Sequence, residues 1–106
     1  MARSNSAGLV KSFQLVTDGP HQIERVWADN SGAAVAYLML FDTASTPAES
    51  SVPDFERAVG IAQSAEINFF ESGQRFEKGL FAVLSSTPGV LTTVGTAIGW
   101  FQTIYH

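Results

Sequence analysis

From Lys11 onward, apolar and polar residues alternate with a period of two, the period of a pleated strand. In "KSFQLV", Phe13 and Leu15 alternate with Ser12 and Gln14, and "TDGP" at 17–20 supplies turn chemistry. "HQIERVWAD" follows, with His21, Ile23, Arg25 and Trp27 on one face and Gln22, Glu24, Val26 and Ala28 on the other. Its faces are mixed, but its β-branched and aromatic content favours a strand. "DNSG" at 29–32 reads as a hairpin loop. The next segment, "AAVAYLMLFD" at 33–42, has no charge before Asp42. Ala, Leu and Met are good helix formers, yet the run is short and bounded by turn signals, which favours a central strand. As a strand it sends Val35, Tyr37, Met39 and Phe41 one way and Ala34, Ala36, Leu38 and Leu40 the other. A strand apolar on both faces must be covered on both.

The remainder repeats the theme. Residues 42–53 form a polar loop with two prolines. "DFERAVGIA" and "SAEINFF" are short strands, the second with Ala65, Ile67 and Phe69 on one face. "ESGQ" at 71–74 turns the chain into "RFEKGLFAVLSS", where Phe76, Leu80 and Leu84 oppose Phe81 and Val83. Gly79 inside it marks a bulge or a close backbone approach. After the "STPG" turn at 86–89, "VLTTV" and "AIGWFQTIYH" read as a last pair of strands. Strands at intervals of roughly ten residues, split by Gly, Pro, Ser and Asn, are the mark of a sandwich or barrel. The expectation is an all-β, antiparallel β-sandwich, jelly-roll-like or Ig-like, of about seven to eight strands. It forms a single domain at 11–106 behind a flexible N-terminal arm at 1–10 that shows no period.

Composition sharpens this picture. Among 106 residues, 15% are charged, well below the roughly 25% typical of globular proteins. The twelve aromatics (eight Phe, two Trp, two Tyr) each remove about 150–250 Å² from water when buried. A domain this short has little interior, so some are expected to meet another subunit. The net charge is −4 and the six cations are scattered, which argues against nucleic acid. There is no cysteine for disulfides or thiolate metal sites. The N-terminus lacks a signal-peptide apolar region, and the oily runs at 33–41 and 89–101 are shorter than the ~20 residues of a membrane helix. A soluble chain used without export is expected.

Candidate chemistry is sparse. His21 and His106 stand isolated, with no spacing that implies a triad. Asp54 and Glu56 share a strand face and could form a carboxylate pair, though solvated strand faces account for them better. "DNSG" and "DTAS" lack calcium-loop spacing, and the glycines form no phosphate cradle. Core packing is the favoured role for Trp27. For Trp100, Phe101 and Tyr105, a surface role is as plausible as a core one.

The stretches "YLMLFD" (Tyr37–Asp42), Ser45–Pro53, "GLFAVLSSTP" (Gly79–Pro88) and the aromatic end Trp100–Tyr105 resemble a class of small all-β virion proteins of tailed bacteriophages. The resemblance covers about three quarters of the chain and consists of strand and turn residues without chemistry. It implies a structural, non-enzymatic protein without a cofactor, made in the host cytoplasm and resident in the virion. The leading expectation is a capsid decoration or cement protein, a homo-oligomer such as a trimer, bound to the major capsid protein or other virion proteins. Apolar strand faces and an arm that orders on docking would do the binding, with Leu9, Val10, Tyr37, Trp100, Phe101 and Tyr105 as candidate contacts and no nucleic acid or membrane involved. The alternative is a tail, fibre or baseplate component with a carbohydrate-binding face. A third reading, a small hydrolase using Asp54 or Glu56, belongs to a different class.

Overall fold

A computed structural model describes residues 2–106 and contains nine strands and no helix among them. These are β1 (Ala2–Asn5), β2 (Ser12–Val16), β3 (His21–Asn30), β4 (Ala36–Phe41), β5 (Phe55–Val59), β6 (Ser64–Asn68), β7 (Gln74–Phe76), β8 (Leu80–Ser85) and β9 (Gly99–Tyr105). The protein is an antiparallel β-sandwich. One sheet runs β1-β9-β3-β6, with β7 also paired to β3, and the other runs β2-β8-β4-β5. Strands β6 and β7 are two halves of one edge strand, pairing with Arg25–Asp29 and with His21–Ile23 respectively.

The main core lies between the sheets. Ile23, Val26, Ala28 and Phe101 from the first sheet meet Leu15, Leu38, Leu40, Leu80 and Leu84 from the second. Each fully buried Leu, Ile or Phe side chain stabilises by about 1.5–3 kcal/mol. The mixed faces of β3 have a specific cause. A register shift between Ile23 and Arg25 inserts an extra residue, so Ile23 points inward before the bulge while Val26 and Ala28 point inward after it. Strict alternation would have placed Ile23 and Val26 on opposite faces.

The segment 33–42 contributes strand β4, and both of its faces are indeed covered. Ala36, Leu38 and Leu40 enter the main core. Met39 and Phe41 enter a second cluster with Phe81, Val83 and Leu91, and Tyr37 packs against it. That cluster lies on the outer face of the β2-β8-β4-β5 sheet, under a roof made by the chain's own loops. Leu91 N–H donates to Ser51 O at 2.8 Å and Ser50 N–H donates to Leu91 O at 2.8 Å. The Glu49 carboxylate accepts from the Thr93 hydroxyl, and Glu56 accepts from Gly89 N–H at 2.7 Å. Leu91 is therefore a plug under two laced loops, not part of the strand expected at "VLTTV". The roof also takes up the surplus of aromatics. Of the twelve, only Phe70 is well exposed, at 72%, so a surplus of aromatic surface does not call for another subunit.

Other expectations change for physical reasons. "DNSG" is not a hairpin loop, because β3 and β4 lie in different sheets. The single strand expected over 75–86 divides into β7 and β8, where the chain passes from one sheet to the other. Gly79 sits just after that passage, and a Cβ there would lie 2.6 Å from Val16 O and 2.9 Å from Thr43 O, so the close approach inferred for it is present. The segment expected as an arm is built into the sheet. Ala2–Asn5 pair along Tyr105–Gln102 and Val10 bridges Gly99; Met1 lies outside the described residues. Its short polar sequence carries no period because β1 is an edge strand with little to bury.

Leu91→Ala should lower unfolding free energy in urea by about 2–3 kcal/mol, at the low end for buried leucines because a loop can settle into the gap. It should also open residues 43–53 to protease. A loss within about 0.5 kcal/mol, the scale of a neutral surface change, would show that the roof is not held by its plug.

Candidate binding surfaces

Antiparallel geometry gathers the loops 6–11, 31–35, 60–63 and 86–98 at one end of the sandwich, since β1, β3, β5 and β8 finish there and β2, β4, β6 and β9 begin there. Backbone bonds join these loops across the end: Ser31 N–H to Ile98 O at 3.0 Å, Asn30 N–H to Gln63 O at 2.8 Å and Val10 N–H to Gly99 O at 2.8 Å. Lys11 is the one charged residue of these loops; residues 6–10, 31–35, 60–63 and 86–98 contain no Lys, Arg, Asp or Glu. The opposite end carries Asp18, Asp42, Glu71, Glu77 and Lys78. This charge-poor end also holds three of the six exposed large apolar side chains: Leu9 at 54%, Val35 at 46% and Ile61 at 53%. A cleft of about 300 Å³ opens there, lined by Ala34, Val35, Ala36, Val94 and Ile98 among others. Such a patch, depleted of charge and rich in aliphatic side chains, has the composition of an interface centre.

This end is also held rigid. Three of the few buried polar side chains, Ser6, Asn30 and Ser85, each clamp one of its loops. Ser6 Oγ donates to Gly8 O at 3.1 Å and accepts from Phe101 N–H at 3.1 Å. Asn30 Nδ2 donates to Ala34 O at 2.9 Å and Val59 O at 3.2 Å, while its Oδ1 accepts from Gly32 N–H at 2.9 Å. Ser85 Oγ donates to Thr87 O at 2.7 Å and accepts from Thr92 N–H at 3.0 Å. A buried polar group is costly unless bonded, so these three tolerate few alternative loop conformations.

The second candidate surface is the outer face of the β1-β9-β3-β6 sheet. Register places Arg3, Ile104, Arg25 and Asn68 in one cross-strand row, Asn5, Gln102, Trp27 and Glu66 in the next, and Trp100, Asp29 and Ser64 in a third. Trp27 and Trp100 are diagonal neighbours, about 7–8 Å apart at the backbone. The Arg25 guanidinium lies 5.3 Å from the Trp27 ring centroid. No roof covers this face. Trp27 and Trp100 remain partly exposed, whereas Ile104 is only 7% exposed beneath its neighbours, and none of the three joins a core cluster. Trp27 is thus a surface residue, contrary to the core role favoured for it.

The six contact residues expected from sequence scatter. Leu9 is exposed at the charge-poor end, with Val10 beside it packed on the core. Tyr37 is half-buried against the second cluster, and Trp100 lies on the open sheet face. Phe101 has no exposed surface and points between the sheets, so it is unavailable to any partner. Tyr105 packs on the core with its ring edge-on to His21, centroids 5.1 Å apart. Val35, Ile61, Ile98 and Trp27 were missed. The signal that could have found the first three is the scarcity of charge in the loops at one end.

The titratable groups serve structure. Asp54 accepts from Asp42 N–H at 2.7 Å, and Asp42 in turn accepts from Glu77 N–H at 3.0 Å and Lys78 N–H at 2.8 Å. Glu56 ties down Gly89, so Asp54 and Glu56 are engaged with different loops and do not face a shared cleft. The two histidines, far apart in sequence, meet at one corner. His21 Nδ1 lies 3.0 Å from His106 O, and His106 Nε2 lies 3.1 Å from Glu24 Oε2. Among the described residues, no three His, Asp or Glu side chains converge as a metal site, and no helix is long and apolar enough to cross a membrane. Searches against protein-family models, curated proteins and solved structures return no match.

Asn30→Ala should cost about 2–3 kcal/mol in chemical unfolding, because it strands buried backbone partners. It should also speed amide exchange at Gly32, whose acceptor is lost. Unchanged exchange at Gly32 would show that the clamp does not order its loop.

Proposed function

We propose that the protein is a non-catalytic structural component of a tailed-phage virion, a capsid decoration or cement protein that docks through the charge-poor loop end of its sandwich. The observation that carries this reading is the division of the molecule into an apolar, internally clamped end whose loops hold a single charged residue, Lys11, and a charged end. The first suits a permanent contact on a large assembly, where water is excluded and charge would be stranded. The second suits the outward, solvated side. Clamped loops lose little freedom on docking, so more of the buried apolar area appears as affinity. The likeness of "YLMLFD" and "GLFAVLSSTP" to small phage virion proteins supports the same reading, which does not depend on a free N-terminal arm.

Purified virions of the phage encoding the chain provide the test. A reconstruction should find the chain on the shell with Val35 and Ile61 facing the capsid protein. Density only at the tail would favour the tail, fibre or baseplate reading, and absence of the chain from particles would end both. In a rebinding assay on stripped particles, Val35→Asp or Ile61→Asp should weaken docking about tenfold or more, as expected for a charge buried in an apolar contact. Lys78→Glu at the far end should bind as the parent does. Equal binding by all three variants would overturn the assignment of this end.

A further inference from the structure

The open face of the β1-β9-β3-β6 sheet is separate from the loop end, and its residues have an internal order. On β3, Arg25 and Asp29 lie two residues before and two residues after Trp27, on the same face. On β9, Ile104 and Trp100 flank Gln102 in the same way, and Gln102 is the register partner of Trp27. Each strand thus carries unlike groups at equal distances from a central row: cation and acid on one, aliphatic and aromatic on the other.

We propose that this face binds a second copy of the chain, related by a two-fold axis lying in the interface along the Trp27–Gln102 row. Such an axis reverses the strand direction and keeps each strand over its own counterpart. Arg25 then faces the other copy's Asp29, Ile104 faces Trp100, and Trp27 meets Trp27 on the axis. This is the self-complementarity that a closed two-fold contact requires. A two-fold axis along the strands would instead lay the Arg3–Ile104–Arg25–Asn68 row over the same row of the other copy, which offers Arg25 no acid. Facing sheets sit about 10 Å apart, within reach of Trp and Arg side chains.

Two further observations point to this occupant. First, the Arg25 guanidinium finds no hydrogen bond within the described residues. Its Nε is buried without an acceptor, and its nearest carboxylate oxygen, Glu66 Oε2, is 3.9 Å from Nη1. Second, Asp29 is exposed and takes part in none of the chain's ion pairs among those residues. A cation with no carboxylate closer than Glu66 at 3.9 Å and an acid in no ion pair, on either side of Trp27, are answered together by the same surface turned over. Trp27, already stacked by Arg25, occupies the centre, where tryptophan contributes most to contacts. Glu66, on the axis row, meets its own counterpart, but it and Arg3 stand on the edge strands β6 and β1, where sheet twist splays the two copies apart.

Sedimentation and light scattering on the full chain test this in solution, away from any particle. The parent should be a dimer, and Asp29→Arg should raise the dissociation constant about 100-fold or more, because two symmetric ion pairs become two repulsions. The double variant R25D/D29R restores opposite charges and should recover the dimer, whereas a merely misfolded variant would not be rescued. Val35→Asp, at the loop end, should leave the dimer intact, so failure here is distinct from failure of the docking proposal. A parent that remains monomeric at about 1 mM overturns the inference. So does a dimer that the Asp29→Arg change leaves unaffected, or a monomer whose Trp27 fluorescence responds to an oligosaccharide.

Discussion

The structure depends on one constraint: strand β4 is apolar on both faces and must be kept from water on both. A strand in a two-layer sandwich normally has one wet face. Here Leu38 and Leu40 meet the opposite sheet while Met39 and Phe41 are covered by loops. The second covering explains features that otherwise look unrelated. It explains why residues 43–54 and 86–94 are long and structured without strands, why Leu91 is nearly inaccessible, and why Glu49 and Glu56 reach back to loop amides. Backbone groups of irregular segments need partners wherever they leave water. The two loops supply them to each other through Ser50, Ser51 and Leu91.

Covering one sheet with the chain's own loops leaves the other open, and that asymmetry shapes the functional reading. The roofed sheet has spent its outer face on stability. The open sheet keeps Trp27 and Trp100 partly exposed on a face without a lid, while its inner face completes the core. The loop end, clamped by Ser6, Asn30 and Ser85, is a third kind of surface, apolar but rigid. The two candidate contacts are geometrically independent, since a loop end and a sheet face point in different directions. One molecule can therefore pair with its like and dock on a larger body at once.

Much of this architecture was legible in the sequence where burial is one-sided. The alternation in β6, β8 and β9 grouped the residues that share a face, Ala65 with Ile67, Leu80 with Leu84 and Phe101 with Thr103 and Tyr105, without saying which face turns inward. It failed where tertiary geometry overrides period two. The β3 bulge reverses parity between Ile23 and Val26, and no turn residue announces it. The break after Phe76 looks like continuous strand because Glu77–Gly79 serve as a passage between sheets. Phe101 was placed among contact candidates because aromatic content at a terminus does not reveal which way a ring points; its odd position in β9, shared with Thr103, was the usable clue. Trp27 erred the opposite way, through the assumption that a large aromatic belongs inside.

The charge-poor end illustrates a signal that no single motif carries. Each of its loops, "SAGLV", "SGAAV", "GIAQ" and "STPGVLTTVGTAI", is unremarkable alone. Only the antiparallel topology, which brings alternate loops to the same end, turns four neutral segments into one surface. Of the sixteen charges (six plus ten), only Lys11 falls in these loops, which together span more than a quarter of the chain. Solubility gains nothing from leaving them neutral, and the fold does not require it, since Leu9, Val35 and Ile61 project outward and support no core. An apolar outward surface costs free energy in water, and the clamps beneath it hold it in place instead of letting the loops fold it away. A surface kept exposed, charge-poor and rigid at that cost is what the proposed docking on a larger assembly would use.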